Sequence, residues 1–482
     1  MLADLIEGLN VVDIACYPDG TSIQDLAISS IEYDSRNVRD GSLFCCLAGQ
    51  YTDGHDFAPQ AVDSGAHALL VERRLALPVS QVVAGDGNAR HAMAVMSANF
   101  YHHPSRSLVM VGATGTNGKT TVTHMIASIL EAGGMPTRVI GTLGGARTTP
   151  ESPDLQRTLA GAVASGTKAI SMEVSSHGIV QHRVDAIHFD VAVFTNLSPE
   201  HLDFHATMND YFEAKAALFT ADRVGTAVIY IGDEWGRLLA RRVSGMNVLT
   251  FDDSSVHDVS VDTSGSSFIL DGMRIRLPMV GVHNIRNAVA AACVADALGT
   301  SHDTILEGLA GMLPPPGRFN VYEMSGRRLV VVDFAHTPEA LEESLKSARQ
   351  LASVSGGRIL CVFGCGGNRD RLKRPHMGKV ASSLADRVIL TSDNSRYEEP
   401  EDIIQEIIDG VDAEDRDRIE VYIDRREAIE HAIGSLGTGD VAVVAGKGHE
   451  TTMEYKGEVS HFDDAEVVCR CIDAIEAGGS VC

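Results

Sequence analysis

Residues 110–134, MVGATGTNGKTTVTHMIASILEAGG, decide how this chain is read. The apolar segment 108–113, "LVMVGA", runs into a loop of Gly, Thr and Asn, and a helical pattern, "TTVTHMIASILEAG", follows. Strand, loop and helix in that order make a phosphate-binding loop, whose backbone N–H groups converge on phosphate oxygens at a helix N-terminus. The strict pattern G-x-x-x-x-G-K-[ST] fails by one position: Ala113 stands where the first glycine belongs, with Gly112 and Gly115 nearby. Gly118, Lys119 and Thr120 fit it. Lys119 supplies a mobile positive charge, and Thr120 a hydroxyl ligand for Mg²⁺. The bland alternative is a glycine-rich turn with an accidental Lys-Thr-Thr, and the complete strand–loop–helix frame argues against it. By itself the loop admits an NTPase, a kinase or a ligase.

Outward from the loop, a β-α rhythm continues. Strands are expected at "TKAISMEV", "DVAVFTN" and "GTAVIYI", and a helix at "HNIRNAVAAACVADALG" that ends at Gly299. Residues 313–319, "LPPPGRF", break the pattern and read as a hinge or linker. A second rhythm follows, with strands at "RLVVVDFA", "RILCVFG", "DRVILTSD" and "DVAVVAG" and helices between them. Strands that alternate with helices imply a parallel sheet covered on both faces, with ligands at the strand C-terminal ends. Glu173, Asn196, Asp333, Gly364 and Asp393 fall at such ends. Residues 1 to about 90 alternate short apolar runs with turns and read as a small α/β unit.

The bulk numbers agree with several domains. A chain of 482 residues exceeds one hydrophobic core, which stops growing at about 250–300 residues. Composition is that of a soluble globular protein, 44% hydrophobic and 22% charged. A net charge of −25 argues against a nucleic-acid binder, which draws its affinity from Lys and Arg on phosphates. The N-terminal MLADLIEGLNVVDI lacks the basic region of a secretory signal, and no stretch approaches the roughly 18 apolar residues of a spanning helix. Nine cysteines are scattered with no paired CxxC, so a reduced, cytoplasmic protein is expected and a Cys-ligated metal is not.

Further chemistry gathers in residues 172–219. Glu173 ends a strand and could share a Mg²⁺ with Thr120, since hard ions take carboxylate and hydroxyl oxygens. His201, Asp203 and His205 follow the next strand. Imidazole suits softer metals better, which makes His201 a less obvious ligand, and His188 and His205 read as structural. Lys215, in a helical stretch, has the ordinary reading of a solvated charge.

These segments together resemble the Mur ligases, the ATP-dependent amino-acid ligases of bacterial peptidoglycan synthesis. The likeness is carried by "DSRNVRDGSLFCCLAGQYTDGHDF", "TGTNGKTT", "TTPESPDLQ", "MEVSSHGIVQHRV", "FTNLSPEHLDFH", "HNIRNA", "VVDFAHTPEAL", "VFGCGGNRDRLKRPHMG", "TSDNSRYEEP" and "AGKGHE", in that order over almost the whole chain. The resemblance implies three α/β domains: a small N-terminal uridine-nucleotide domain over 1–90, a central P-loop-type ATPase domain with a mostly parallel sheet over 91–315, and a C-terminal Rossmann-like, amino-acid-binding domain over 316–482. It also implies the reaction. The D-glutamyl carboxylate of UDP-N-acetylmuramoyl-L-Ala-D-Glu (UDP-MurNAc-L-Ala-D-Glu) attacks the γ-phosphate of ATP, an acyl phosphate forms, and an amine displaces phosphate to leave an amide.

Residue by residue, the resemblance implies that Gly115, Thr116, Asn117, Gly118, Lys119, Thr120 and Thr121 hold ATP. Asn284 and Asn287 would lie on its adenine side, and Arg318, Asp333 and His336 would reach it from beyond the hinge. Thr120 and Glu173 would hold one Mg²⁺, and His201 and Lys215 a second, Lys215 as a carbamate formed with CO₂. Ser35 and Arg36 match the uridine-nucleotide region. Thr148, Thr149, Ser175, Gln181 and Arg183 match residues that grip the muramoyl dipeptide. Arg369, Asp393, Asn394, Arg396, Gly446 and Glu450 match contacts to the incoming amino acid. Members that add meso-diaminopimelate read Asp-Asn-Pro-Arg where this chain reads Asp393-Asn394-Ser395-Arg396. An Arg fork suits the distal carboxylate that diaminopimelate has and L-lysine lacks. Glu200 stands where Asp is usual, and Asn368 replaces Asp in "GGNRD". A monomer without nucleic-acid or membrane partners is expected. The competing readings are the L-lysine-adding ligase, a sister ligase such as folylpolyglutamate synthase, and a nucleotide-switch ATPase without ligase chemistry.

Overall fold

The structure is a computed structural model that describes residues 1–482 except 19, 50, 51, 86, 87, 146, 354, 355 and 479–482. Its organising element is the strand Val109–Thr114, buried almost throughout. Successive side chains of a strand point to opposite faces. Accordingly Val111 and Ala113 enter one core with the helices Lys119–Ala132 and Val282–Ala297, while Met110 enters another with the helix Ser152–Ala164. Two covered faces explain why the segment reads as an unbroken apolar run. The sheet has six strands in the order Asn247–Phe251, Val224–Tyr230, Phe189–Phe194, Val109–Thr114, Ala169–Glu173, Thr137–Ile140. All adjacent pairs are parallel, so the loops at one edge share one crevice.

A five-stranded sheet precedes it, in the order Val11–Ala15, Ser80–Ala84, Ala66–Val71, Ser42–Cys45, Ser30–Glu32. Only Val11–Ala15 runs antiparallel to its neighbour. The helix Ala89–Phe100 straddles the expected boundary at residue 90 and buries Ala89, Ala92, Met93 and Met96 in this N-terminal core. Contacts to the central unit include Tyr33 Oη, which donates to Asp154 at 2.6 Å, and His91 Nδ1, which lies 2.8 Å from Asp185.

The C-terminal sheet has six strands in the order Asn320–Met324, Arg328–Asp333, Val441–Ala445, Ile359–Phe363, Arg387–Leu390, Ile419–Val421, antiparallel only at the first pair. Val331 and Cys361 face one core, and Val330, Val332 and Val362 the other. The buried Arg425–Asp464 pair, Nη2 to Oδ2 at 2.7 Å, ties the helix Asp464–Glu476 to this sheet, since Arg425 Nη2 also donates to Ala445 O at 2.9 Å.

Two features fall outside the β-α rhythm. One is a three-stranded antiparallel sheet, Val256–Asp262, Gly265–Leu270 and Met273–Leu277. The other is a hairpin, Thr452–Tyr455 with Glu458–His461. Among the described residues the cysteines are free, and Cys482 lies outside them. No helix of the described residues is long and apolar enough to cross a membrane.

Candidate active site

The phosphate-type loop turns at two glycines for steric reasons. Gly118 has φ +86°, and a Cβ there would lie 2.4 Å from Asn287 Oδ1. Gly115 has φ +148°, and its Cβ would meet Thr195 Oγ1 at 2.0 Å. Side chains disfavour such φ values, and neither position has room for one. Asn196 braces the loop: its Oδ1 accepts from Asn117 N at 2.9 Å. Ala113, at the position where the strict motif has glycine, is the fifth residue of the strand, pairs with Glu173 and Val193, and is fully buried.

The loop opens into a cavity of about 650 Å³ whose walls come from both large sheets. Every residue expected at the nucleotide lines it except Gly115, whose carbonyl oxygen instead accepts from Lys119 Nζ at 3.0 Å and from Lys215 Nζ at 2.8 Å. Arg369, Asp393, Asn394, Arg396, Gly446 and Glu450, from the C-terminal unit, line the same cavity. Thr148 and Ser175 line it as well. Thr149, Gln181 and Arg183 sit behind that wall: Thr149 Oγ1 donates to Glu173 O at 3.0 Å, and Arg183 Nη1 to Thr149 O at 2.7 Å. Ser35 and Arg36 are not part of the cavity; Arg36 pairs with Asp34 at 2.6 Å on the surface.

Thr120 Oγ1 accepts from Arg318 Nη2 at 2.9 Å, so an arginine two positions past the three prolines reaches the loop 198 positions earlier. Glu173 Oε1 accepts from Thr142 N at 2.8 Å and lies over Gly141, where a Cβ would sit 2.2 Å from it. Carboxylate and hydroxyl oxygens beside a phosphate loop are the donor set of a hard cation, and these residues fit Mg²⁺. The His201 imidazole has its pKa lowered to about 4 by burial, reinforced by Lys119 and Lys215 against the opposing pull of Glu200. It is therefore neutral near pH 7, with a nitrogen lone pair available to a metal.

Lys215 is not a solvated charge. It is 1% exposed, its Nζ sits 4.5 Å over the Tyr211 ring, and burial and then Lys119 push its pKa well below the usual lysine range. Lys119 is pushed down too, by burial, against the pull of Glu200 and Glu173. Burial would raise the Glu200 carboxyl, but His201, His336 and Lys119 outweigh it and hold the pKa well below the usual range. Asp393 is lowered in the same way: burial opposes, and Lys447 and Arg425 prevail.

At the amino-acid end, Arg396 has φ +52° and donates Nη1 to Gly367 O at 2.7 Å. Its backbone N donates to Glu454 O of the hairpin at 3.0 Å. Ser395, in the place of proline, donates its hydroxyl to Asp393 O at 3.2 Å. Asn368 takes φ +50°, a conformation Asn tolerates, and its Oδ1 accepts from Tyr397 N at 3.0 Å. Asn394 Nδ2 donates to Glu450 Oε2 at 2.8 Å, which fixes that carboxylate.

Several lining residues carry little sequence signal. Lys373 donates to His336 O at 2.7 Å, yet in "DRLKRP" it looks like one charge in a solvated basic run. Arg286, over the Tyr230 ring at 4.9 Å and paired with Asp253 at 2.7 Å, looks like the polar face of an amphipathic helix.

A parallel sheet with a phosphate loop at its edge, oxygen donors for a cation and a second α/β unit that contributes an arginine together define an ATP-dependent phosphoryl-transfer enzyme with a second substrate pocket. The comparisons make this particular. Three family descriptions match: "Mur ligase family, catalytic domain" over residues 27–102, "Mur ligase middle domain" over 113–295, and "Mur ligase, glutamate ligase domain" over 317–448. Relatives named UDP-N-acetylmuramoyl-L-alanyl-D-glutamate--2,6-diaminopimelate ligase are 40% identical in Syntrophomonas wolfei, over 93% of this chain and 95% of theirs, and 38% identical in Streptomyces coelicolor, over 98% and 96%. A solved structure of that name, 32% identical, superposes with a TM-score of 0.65 over 93% of this chain and 95% of its own. The MurF ligase of Thermotoga maritima in complex with ADP shares the fold at 22% identity and a TM-score of 0.65, over 93% of this chain and 98% of its own. The chain belongs to the Mur ligase family.

Proposed function

We propose that this protein is an ADP-forming ligase that joins meso-diaminopimelate to the D-glutamyl carboxylate of UDP-MurNAc-L-Ala-D-Glu; its relatives are named as 2,6-diaminopimelate ligases of UDP-N-acetylmuramoyl-L-alanyl-D-glutamate. One observation carries the reading: a single cavity is lined both by the phosphate loop and by Asp393, Asn394 and Arg396 of the C-terminal unit. A carboxylate is a poor acylating agent near neutral pH, and phosphorylation gives it a leaving group. Lys119 and Arg318 provide positive charge where the γ-phosphate oxygens and the attacking carboxylate, both anions, must meet. Thr120 and Glu173 would hold one Mg²⁺, and His201 and Lys215 a second. Bound Mg²⁺ supplies charge neutralisation and polarises the phosphoryl group.

The buried amine of Lys215 supports its carbamylation. A lysine held neutral is nucleophilic. Its nitrogen forms a bond to the carbon of CO₂ and releases a proton, which leaves a carboxylate head suited to a hard cation. Arg396 would receive the distal carboxylate of diaminopimelate, and Glu450 the distal ammonium. Ser35 and Arg36 would serve the uridine end. The proposed assembly is a monomer, in the cytoplasm.

An amino-acid panel with ATP and the UDP-muramoyl dipeptide tests the reading. Phosphate release is expected only with both substrates and with diaminopimelate preferred. Turnover with L-lysine alone would overturn the amino-acid assignment, and phosphate release with neither substrate would favour a nucleotide switch. Oxygen-18 placed in the glutamyl carboxylate should appear in the liberated phosphate.

A further inference from the structure

Lys373 is a cation in the cavity that no anion answers. It is the first residue of the helix Lys373–Leu384, its side chain lines the cavity, and its Nζ donates to His336 O at 2.7 Å. That bond uses one of the hydrogens a lysine ammonium offers. Among the described residues the others meet no acceptor, and no carboxylate lies within ion-pair distance. Its neighbours are all answered. Arg374, fully buried, pairs with Glu398 at 2.8 Å and with Glu406 at 2.7 Å, and Arg371 pairs with Glu406. Lys447 pairs with Glu450 at 3.3 Å, and Arg396 lies 3.5 Å from Glu454. The helix makes the position of Lys373 worse. The positive end of its dipole disfavours a cation in the first turn, and no acidic residue stands there. Stability alone gives no reason for an unpaired charge at this point; an anion in the cavity does.

Two contacts locate that anion. His336, whose carbonyl holds Lys373, is one of the residues expected at ATP, and its ring meets Glu200 at 3.0 Å. The charge of Lys373 also reaches the amino-acid side: against burial, Lys447 and Arg425 and then Lys373 hold the Asp393 carboxyl below its usual range. Lys373 thus borders both sets of lining residues, those expected at the nucleotide and those expected at the amino acid. The acyl phosphate belongs where these sets meet. Its phosphoryl oxygens come from ATP, and its carbonyl carbon is the target of the amine.

We propose that Lys373 is a catalytic residue of amide formation, contacting the acyl phosphate and balancing the negative charge that builds as the amine attacks. The inference rests on the ligase reading above and assigns a group to its second step. The amine nitrogen forms a bond to the glutamyl carbonyl carbon, and the carbonyl π pair moves onto oxygen. That pair then returns, the bond from carbon to the bridging oxygen breaks, and the departing phosphate takes the proton that nitrogen sheds. Negative charge grows first on the carbonyl oxygen and then on the bridging oxygen. A fixed cation beside them stabilises the transition state more than the ground state. Lys119 and Arg318 serve the earlier transfer from ATP; Lys373 serves the step that follows it.

The test compares the parent with Lys373→Met and Lys373→Gln, which lack the charge, and Lys373→Arg, which keeps it. Rapid quench with ATP, UDP-MurNAc-L-Ala-D-Glu and diaminopimelate reads ADP in the first turnover, and steady-state rates give kcat and KM. In the Met and Gln variants kcat should fall by about 10²–10³-fold, with KM for ATP and for diaminopimelate within about two-fold of the parent. ADP should still appear at the parent's rate in the first turnover, as a burst of about one per active site, because the acyl phosphate forms and then waits. Lys373→Arg should recover part of kcat. A loss of kcat without the burst would overturn the proposal, since Lys373 would then act before the acyl phosphate or as a support for His336. A raised KM for diaminopimelate at the parent's kcat would overturn it too, as would parental kinetics in both neutral variants or an equal loss in all three. Each of these leaves the ligase reading intact. A wild-type protein that makes no ADP with all three substrates would instead overturn the ligase reading, and this inference with it.

Discussion

The Glu200 carboxylate meets the His336 imidazole at 3.0 Å, Oε1 to Nε2, and so joins the loop beside the central sheet to the start of the C-terminal unit. Glu200 is buried, and its other oxygen lies 3.7 Å from His201 Nε2. His336 is held in turn, with Nδ1 on Phe334 O at 2.9 Å and its own carbonyl on Lys373 Nζ at 2.7 Å. Glu200→Asp withdraws the carboxylate by about 1.5 Å, one carbon–carbon bond. A lost hydrogen bond to a charged group, here the Glu200 carboxylate, is worth about 1.5–3 kcal/mol, so kcat/KM for ATP should fall by about ten-fold or more, while the thermal midpoint moves little. An aspartate variant with the parent's kcat/KM would show that the pair does not hold the two units in register for catalysis.

Lys119→Ala should reduce turnover by about 10²–10³-fold or more, because it removes a preorganised charge from the transferring phosphoryl group. Circular dichroism should stay that of the parent, since among the described residues the Lys119 Nζ bonds only to carbonyls of its own loop, Gly115 O at 3.0 Å and Thr116 O at 2.7 Å. Full activity in this variant would remove the loop from the mechanism.

Lys215→Ala should be inactive and should regain part of its turnover with millimolar short carboxylates that stand in for the carbamate. In the parent, removal of CO₂ and bicarbonate should lower the rate reversibly. Intact-mass measurement at mildly alkaline pH reads the adduct directly; an active protein with an unmodified lysine would refute the carbamate.

Arg396→Ala should raise KM for diaminopimelate by about 10²-fold, since a buried carboxylate would lose its bidentate partner, with KM for ATP within about two-fold of the parent. Equal effects on the two constants would mean that Arg396 acts through its bond to Gly367 O and is structural.

The pH dependence of stability should carry a histidine signature. His283 has its pKa lowered from 6.5 to about 4, by burial first and then by Arg286. Between those values the unfolded chain binds the proton and the folded chain does not, so stability rises with pH across the window and is lost as pH falls through it. This one group should contribute about 1–3 kcal/mol over that range. Urea unfolding of His283→Gln, followed from pH 7 to pH 4, should show a correspondingly shallower slope; the same slope as the parent would assign the effect to other groups.

The sequence carried the parallel strands because burial on both faces writes unbroken apolar runs such as Leu329–Val332 and Leu360–Phe363. It did not carry the antiparallel sheet at residues 256–277. Strand Val256–Asp262 is mostly exposed, and its valines, at 256, 259 and 261 among His, Asp and Ser, keep no period of two. The phosphate loop was legible despite Ala113, because the chain's local order, strand then glycines then helix, does not depend on one residue. Lys215 was opaque for the opposite reason: its burial depends on Gly115 and Tyr211, and the spacing of a helix does not reveal a neighbour 100 residues away. The substitution of Glu for Asp at position 200 is visible in the sequence, but its partner, 136 residues further on, is not.

The bond from Arg318 to Thr120 also bears on synthesis at the ribosome. A nascent chain can assemble the phosphate loop and its sheet long before position 318 has left the exit tunnel. The nucleotide cradle gains that arginine only after translation has passed the prolines at 314–316. Truncated products that stop short of this point should therefore fold their central sheet yet leave cellular ATP untouched.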